Sequence, residues 1–270
     1  MRRQWALLLS SWCLLFLSQN VFASEHIEFT SLNSEMKVSG DLFMPPNVAG
    51  KVPAVIVVHG TAGVDDRTQY FATELPKAGI AAFVVDFKHG VFNNSGNRPP
   101  NAKFLPAAFA ALRILQKRSD IDAAKIGIMG FSLGGGVALR TSLVENKSKW
   151  IGDEPGFKVH IAYYPGCRNF LQEVKRKSRI VAPIKVYWGT LDCYGAGKSC
   201  PKLRTALANV TNSELDLVEF EGAHHGFDGT YVGNYYDPGA IGGRGHSEGN
   251  AEYAKKARES SIAFLIKYLE

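Results

Sequence analysis

The sequence predicts an α/β fold with a mostly parallel central sheet covered by helices on both faces. Three observations carry this. Strand-like and helix-like segments alternate over most of the 270 residues. Residues 52–59 and 80–87 are near-continuous apolar runs, as expected for strands buried on both faces. The stretch from Ile126 to Leu139 reads as strand, sharp turn at Ser132, then helix.

Residues 27–31 and 36–44 read as an opening pair of strands around an Asn33-Ser34-Glu35 turn, ended by Pro45-Pro46. After the 52–59 strand, His59-Gly60-Thr61-Ala62-Gly63 forms a glycine-bearing loop. A helix follows over 66–78 with Gly79 as its cap, then the 80–87 strand. Residues 91–100 are polar and turn-rich. A long amphipathic helix spans 101–118, its basic end suiting the helix dipole. Next come a strand at 125–130, a helix at 133–144 and a strand at 159–164. A basic connection covers 167–181, followed by a strand at 184–188 and a helix at 201–210 with Pro201 in its first turn. The strand at 215–220 leads into a glycine- and tyrosine-rich loop over 221–245, and a helix over 252–269 closes the chain.

Composition excludes several classes. Hydrophobic content of 46% and charged content of 21% are those of a globular protein. Residues 1–23 read as a signal peptide: Arg2 and Arg3, an apolar stretch from Trp5 to Leu17, and Val21-Phe22-Ala23 before the cleavage point. The rest, 24–270, is expected to be one domain of an exported protein, periplasmic or secreted. Of the formal charge of +6, Arg2 and Arg3 supply two, so the remainder carries +4. That charge is mild and scattered, unlike a nucleic-acid stripe. The run Lys175-Arg176-Lys177 reads as a solvated face. No later stretch is long and apolar enough to span a bilayer. Export implies an oxidising compartment. Cys193 and Cys200 bracket a flexible loop and are expected to pair, leaving Cys167 free or half-buried.

Gly130-Phe131-Ser132-Leu133-Gly134 matches G-x-S-x-G, in which a serine on a strained turn projects from the sheet edge. The bare pattern also fits an ordinary glycine-rich turn. A serine hydroxyl needs a base, and the base an orienting acid. On such sheets the chain order is serine, acid, histidine, and here Ser132, Asp192 and His225 each follow a predicted strand. Asp86 is a rival acid but precedes the serine, and Asp216 lies within a strand. His224 is the rival base; neighbours on extended backbone point to opposite sides, so a metal pair from His224 and His225 is not expected. His59 reads as a loop anchor. The backbone N–H groups of Leu133 and Thr61 are the expected oxyanion donors. Nothing in this set calls for a metal or organic cofactor.

The combination of Val57-Val58-His59-Gly60, the 130–134 motif, Trp188-Gly189 with Asp192, and Gly222-Ala223-His224-His225-Gly226-Phe227 resembles the dienelactone hydrolase family of α/β-hydrolases. The likeness covers roughly residues 35–268, and the last motif is the most specific. It implies a compact α/β-hydrolase with little or no cap domain, acting on a small ester or lactone, and supports His225 as the base. Two departures matter. The family proper uses a cysteine nucleophile where this chain has Ser132, and it places a glutamate where this chain reads Gly60-Thr61-Ala62. Both departures, and export, point to a serine esterase on the same frame. A serine peptidase or amidase, and a non-catalytic binding protein on a hydrolase scaffold, are the alternatives. The loops at 92–101 and 231–245 are expected to wall the pocket, with Tyr231, Tyr235 and Tyr236 either stacking on substrate or packing the loop.

Overall fold

The structure is a computed structural model that describes residues 23–47, 49–87, 101–174, 179–207 and 215–270. Residues 1–22 of the segment read as a signal peptide, 88–100 with the expected polar loop at 91–100, the basic run at 175–178, and 208–214 with the end of the expected 201–210 helix lie outside the described residues. No helix among the described residues is long and apolar enough to cross a membrane.

Eight strands form one sheet: β1 (Ser24–Thr30), β2 (Lys37–Phe43), β3 (Val52–Val58), β4 (Ala81–Asp86), β5 (Ile121–Phe131), β6 (His160–Tyr163), β7 (Ile184–Gly189) and β8 (Leu215–Phe220). Their spatial order is β1-β2-β4-β3-β5-β6-β7-β8. Only the β1–β2 and β2–β4 pairings are antiparallel. From β4 to β8 every neighbour is parallel, which is the mostly parallel sheet that the apolar runs predict.

Side-chain alternation divides the core into two layers. On β3, Val52, Ala54, Ile56 and Val58 face one cluster, while Val55 and Val57 face the other. On β4, Ala81, Phe83 and Val85 join the first cluster and Ala82 and Val84 the second. Helices cover both: α2 (Leu105–Gln116) packs into the first through Phe109 and Leu112, and α1 (Asp66–Lys77) and α8 (Ala251–Leu269) into the second through Phe71 and Leu265. Asp65 caps α1, its carboxylate accepting from the Arg67 N–H at 3.1 Å while the Asp65 N–H donates to Thr68 Oγ1 at 3.0 Å.

Helix boundaries depart from the sequence reading where local chemistry intervenes. The 101–118 helix opens as a 3-10 turn over Asn101–Phe104, and the α-helical part starts at Leu105 with Pro106 in its first turn. A proline lacks the N–H an interior helical position needs. The 133–144 helix ends early as α3 (Leu133–Thr141), and α4 (Val144–Ile151) begins after Leu143 turns extended. The 221–245 loop contains a strand, β9 (Val232–Tyr236), which pairs antiparallel with β10 (Arg244–Glu248) as a separate hairpin.

The expected Cys193–Cys200 disulfide is a correction: Cys200 pairs with Cys167, Cα to Cα 5.2 Å, and Cys193 is free. The loop between 193 and 200 coils into a helical turn, α6 (Ala196–Ser199). Coiling turns Cys200 inward against Phe170 and against Leu203 of α7 (Lys202–Leu207), beside the start of α5 (Cys167–Glu173). Cys193 faces the hairpin instead, its thiol donating to the His246 carbonyl at 3.4 Å. A bridge spanning 33 residues restricts the unfolded chain by on the order of 3–4 kcal/mol. Replacing Cys167 and Cys200 with serine is therefore expected to lower the melting temperature by about 10 °C. An unchanged melting curve would contradict this pairing.

His160 on β6 is fully buried, and neither ring nitrogen completes a hydrogen bond, although the Pro183 and Thr141 carbonyls lie near. Burial outweighs those carbonyls and pushes its pKa down from 6.5 to about 3. Between those values the unfolded chain binds one more proton than the folded one. Stability is then complete above the unfolded value and falls as pH drops, by about 1.4 kcal/mol per unit. His160→Leu is expected to flatten that part of a stability-against-pH curve. Parallel curves for the two proteins would show that another group sets the acid limb.

Candidate active site

The 130–134 segment makes the turn that the motif requires. Ser132 sits between β5 and α3 at φ 50° and ψ −108°, a strained conformation for a residue with a side chain. Close approach explains the flanking glycines. A Cβ at Gly130 would lie 2.3 Å from the Gly134 backbone, and one at Gly134 would lie 2.3 Å from the Val58 carbonyl. The Ser132 N–H donates to the Tyr163 carbonyl at 2.9 Å, and the Tyr164 N–H to the Tyr187 carbonyl at 2.6 Å. These bonds continue the sheet past its last strand residues and align the exits of β5, β6 and β7.

The exits of β7 and β8 are joined in the same way. The Thr190 N–H donates to the Phe220 carbonyl at 3.1 Å and the Leu191 N–H to the Ala223 carbonyl at 3.0 Å. Two loops 33 residues apart in sequence thus run side by side, and they place Asp192 against His225. His225 Nδ1–H donates to Asp192 Oδ2 at 2.7 Å. His225 Nε2 then accepts from the Ser132 hydroxyl at 2.9 Å. The other Asp192 oxygen accepts from the Tyr194 N–H at 2.7 Å. Asp192 and His225 are both buried. This chain of bonds can take a proton from the serine, hold it on the imidazole and return it.

The rivals lie elsewhere. Asp216 pairs with Lys185. His224 is partly exposed and points at Glu248, 3.8 Å away. His59 is fully buried, its Nδ1–H donating to the Gly60 carbonyl at 2.5 Å and its Nε2 accepting from the Phe87 N–H at 2.9 Å, so both ring nitrogens hold backbone.

Two cavities flank the Ser132–His225 pair. The larger, about 490 Å³, is lined by Thr61, Arg67, Tyr231 and Tyr235 along with Ser132 and His225. The smaller, about 180 Å³, is lined by Thr61, Leu133, Tyr164 and Arg168 beside the same pair. Tyr231 and Tyr235 of the predicted wall therefore face the cavity, whereas Tyr236 is 83% exposed. A further cavity of about 640 Å³ contains none of the three polar groups, but shares Arg168, Tyr194 and Gly239 with the smaller one.

Sequence reasoning missed Arg67, Tyr164 and Tyr194. The Tyr164 and Tyr194 rings pack against His225, with centroids 4.6 and 4.5 Å away, and fix the imidazole from two sides. Arg67 donates to Tyr164 Oη at 3.0 Å and pairs with Asp65. Tyr164 in turn donates to Asp228, whose pKa is raised by burial against the pull of Arg67. Tyr164 directly follows β6, so the rule that sites gather at strand exits could have found it. Arg67 lies in a first helical turn and carries no such signal.

The chain is also similar to known proteins. The model of the dienelactone hydrolase family matches residues 38–269. A Bradyrhizobium sp. protein named "Probable 2-oxo-3-(5-oxofuran-2-ylidene)propanoate lactonase" is 24% identical over 206 residues, covering 67% of this chain and 76% of that protein. Among solved structures, a dienelactone hydrolase-like promiscuous phosphotriesterase from metagenomic libraries superposes with a TM-score of 0.67 at 17% identity, covering 91% of this chain and 99% of that one. An esterase from Thermogutta terrifontis gives 0.64 at 16% identity, covering 90% and 92%. The structural likenesses are of fold, and the match of the family model over nearly all of the sheet and its helices assigns the chain: it belongs to the dienelactone hydrolase family.

Proposed function

We propose that this chain is a serine hydrolase that cleaves carboxylic esters or lactones through an acyl-enzyme. The observation that carries the reading is the one imidazole placed between a serine hydroxyl at 2.9 Å and a buried carboxylate at 2.7 Å. Ser132 Oγ attacks the carbonyl carbon while His225 Nε2 takes its proton. The tetrahedral intermediate collapses as His225 gives that proton to the departing alkoxide, leaving an ester on Ser132. Water, activated by the same imidazole, then releases the acid and restores Ser132. Asp192 keeps the imidazole in the required tautomer and offsets its charge when protonated.

The developing oxyanion needs donors fixed in advance. Leu133 is the first residue of α3, so its N–H has no partner within the helix, and Leu133 and Thr61 both line the small cavity beside Ser132. Their backbone N–H groups are assigned as the oxyanion hole, each worth about 10²–10³ in kcat. The lactonase name of the Bradyrhizobium relative and the esterase name of the Thermogutta neighbour support ester and lactone substrates. Work outside the cytoplasm fits the Cys167–Cys200 disulfide, because such bonds persist in oxidising compartments.

A panel of p-nitrophenyl esters, lactones and peptide p-nitroanilides tests the reading. Turnover of esters or lactones, well above that of the anilides and absent from Ser132→Ala, is expected. Anilide cleavage exceeding ester cleavage would move the chain to the peptidases. No turnover of any kind would leave a binding protein on a hydrolase frame.

A further inference from the structure

We propose that His224, His246 and Glu248 form a binding site for a borderline divalent metal ion, zinc above all, which ties the loop carrying His225 to the β9–β10 hairpin. The proposal is independent of the role given to Ser132.

The site follows from strand periodicity. His246 and Glu248 are two apart on β10, so they project from the same face. Across the hairpin, His246 is in register with Asn234. The loop after β8 runs beside β10, His225 forming a bridge with Ser247, and this sets His224 on the His246 side. The His224 and His246 rings meet edge to face with centroids 4.4 Å apart. One donor atom from each of His224, His246 and Glu248 falls within a 4.8 Å span. Glu248 Oε2 lies 3.3 Å from His246 Nε2 and 3.8 Å from His224 Nε2. Ligands about 2.0–2.2 Å from a tetrahedral zinc sit a little over 3 Å from one another, so small side-chain rotations close this set.

The hairpin also holds one of the rings in place. His246 Nδ1 lies 2.8 Å from Asn234 Oδ1. That amide holds one ring nitrogen while the other, Nε2, lies 3.3 Å from Glu248 Oε2. Holding the distal nitrogen of an imidazole by a side-chain oxygen is also how metal-bound histidines are oriented. Two imidazoles and one carboxylate suit zinc, copper or nickel, and do not suit calcium or magnesium, which take oxygen ligands. The three ligands leave a coordination position for water.

The placement suggests what the ion does. His224 precedes His225, and His246 and Glu248 flank Ser247, whose hydroxyl lies 3.2 Å from the Oη of Tyr235 in the cavity wall. A bound ion would add a cross-link between two segments that run side by side at the His225–Ser247 bridge.

Titration calorimetry of the full purified chain, freed of metal by chelation, against zinc chloride is the test. One ion per chain is expected, with a dissociation constant of about 10 μM or tighter, and no saturable binding of calcium or magnesium. His246→Gln and Glu248→Gln are each expected to weaken binding at least tenfold, and Asn234→Ala about tenfold. Excess zinc is expected to raise the wild-type melting temperature by about 5 °C and to leave that of His246→Gln unchanged. Cobalt on the wild-type protein gives a readout that needs no variant: visible d–d bands without a thiolate charge-transfer band. Absence of saturable zinc binding overturns the proposal. So does undiminished binding in both variants, or a thiolate band that disappears in Cys193→Ser, which would move the site to the neighbouring cysteine.

Discussion

Replacing Ser132 with alanine is expected to lower kcat for ester hydrolysis by about 10⁴–10⁶, which is roughly 5–8 kcal/mol of barrier, while the fold survives. The reason is stoichiometric: without Oγ there is no acyl-enzyme, and the residual rate is what binding and the oxyanion donors alone supply. The fold should tolerate the change because alanine keeps the Cβ. The φ of 50° costs an alanine what it costs a serine. Only the 2.9 Å bond to His225 is lost, and backbone bonds hold the turn. A melting temperature within about 2 °C of wild type, with activity at background, is the expected pair of readings. Retention of more than a few per cent of the wild-type rate would mean that another group is the nucleophile.

Asp192→Asn is expected to cost about 10⁴ in kcat with little change in KM. The geometry explains why so conservative a change does so much. Asp192 Oδ1 accepts from the Tyr194 N–H, so an asparagine there keeps its carbonyl oxygen on that donor. Its NH₂ then faces His225 Nδ1, which must become an acceptor, and the ring proton moves to Nε2. That proton points at Ser132 Oγ, and the imidazole can no longer take one from it. A steady-state comparison on one p-nitrophenyl ester decides the matter. A loss of only a few-fold would make Asp192 a loop residue rather than the partner of His225.

The parallel sheet was legible because buried strands announce themselves. β3 and β4 are continuous apolar runs that no exposed loop tolerates, and β8 was read at its observed limits of 215–220. The separation of strand from loop in the sequence places Ser132, Asp192 and His225 on one edge. Three features were hidden for physical reasons. β9 alternates exposed and intermediate positions, and among the described residues none of the β9–β10 hairpin joins a core cluster, so its sequence lacks an apolar period. The disulfide was misassigned because nearness in sequence ignores the helical turn at 196–199, which sends Cys193 and Cys200 to opposite sides. Arg67 and Tyr194 act by packing and second-order hydrogen bonds that leave no motif, whereas Tyr164 stands at the exit of β6, where strand-exit reasoning points.

The central claim is that His225, held by Asp192, turns Ser132 into a nucleophile. A fluorophosphonate probe, read by intact mass and peptide mapping, tests it most directly. One phosphonyl group per chain, mapped to Ser132, absent from Ser132→Ala and formed orders of magnitude more slowly in His225→Ala, is the predicted result. An adduct on any other residue, or labelling of Ser132 at the wild-type rate in His225→Ala, would contradict it.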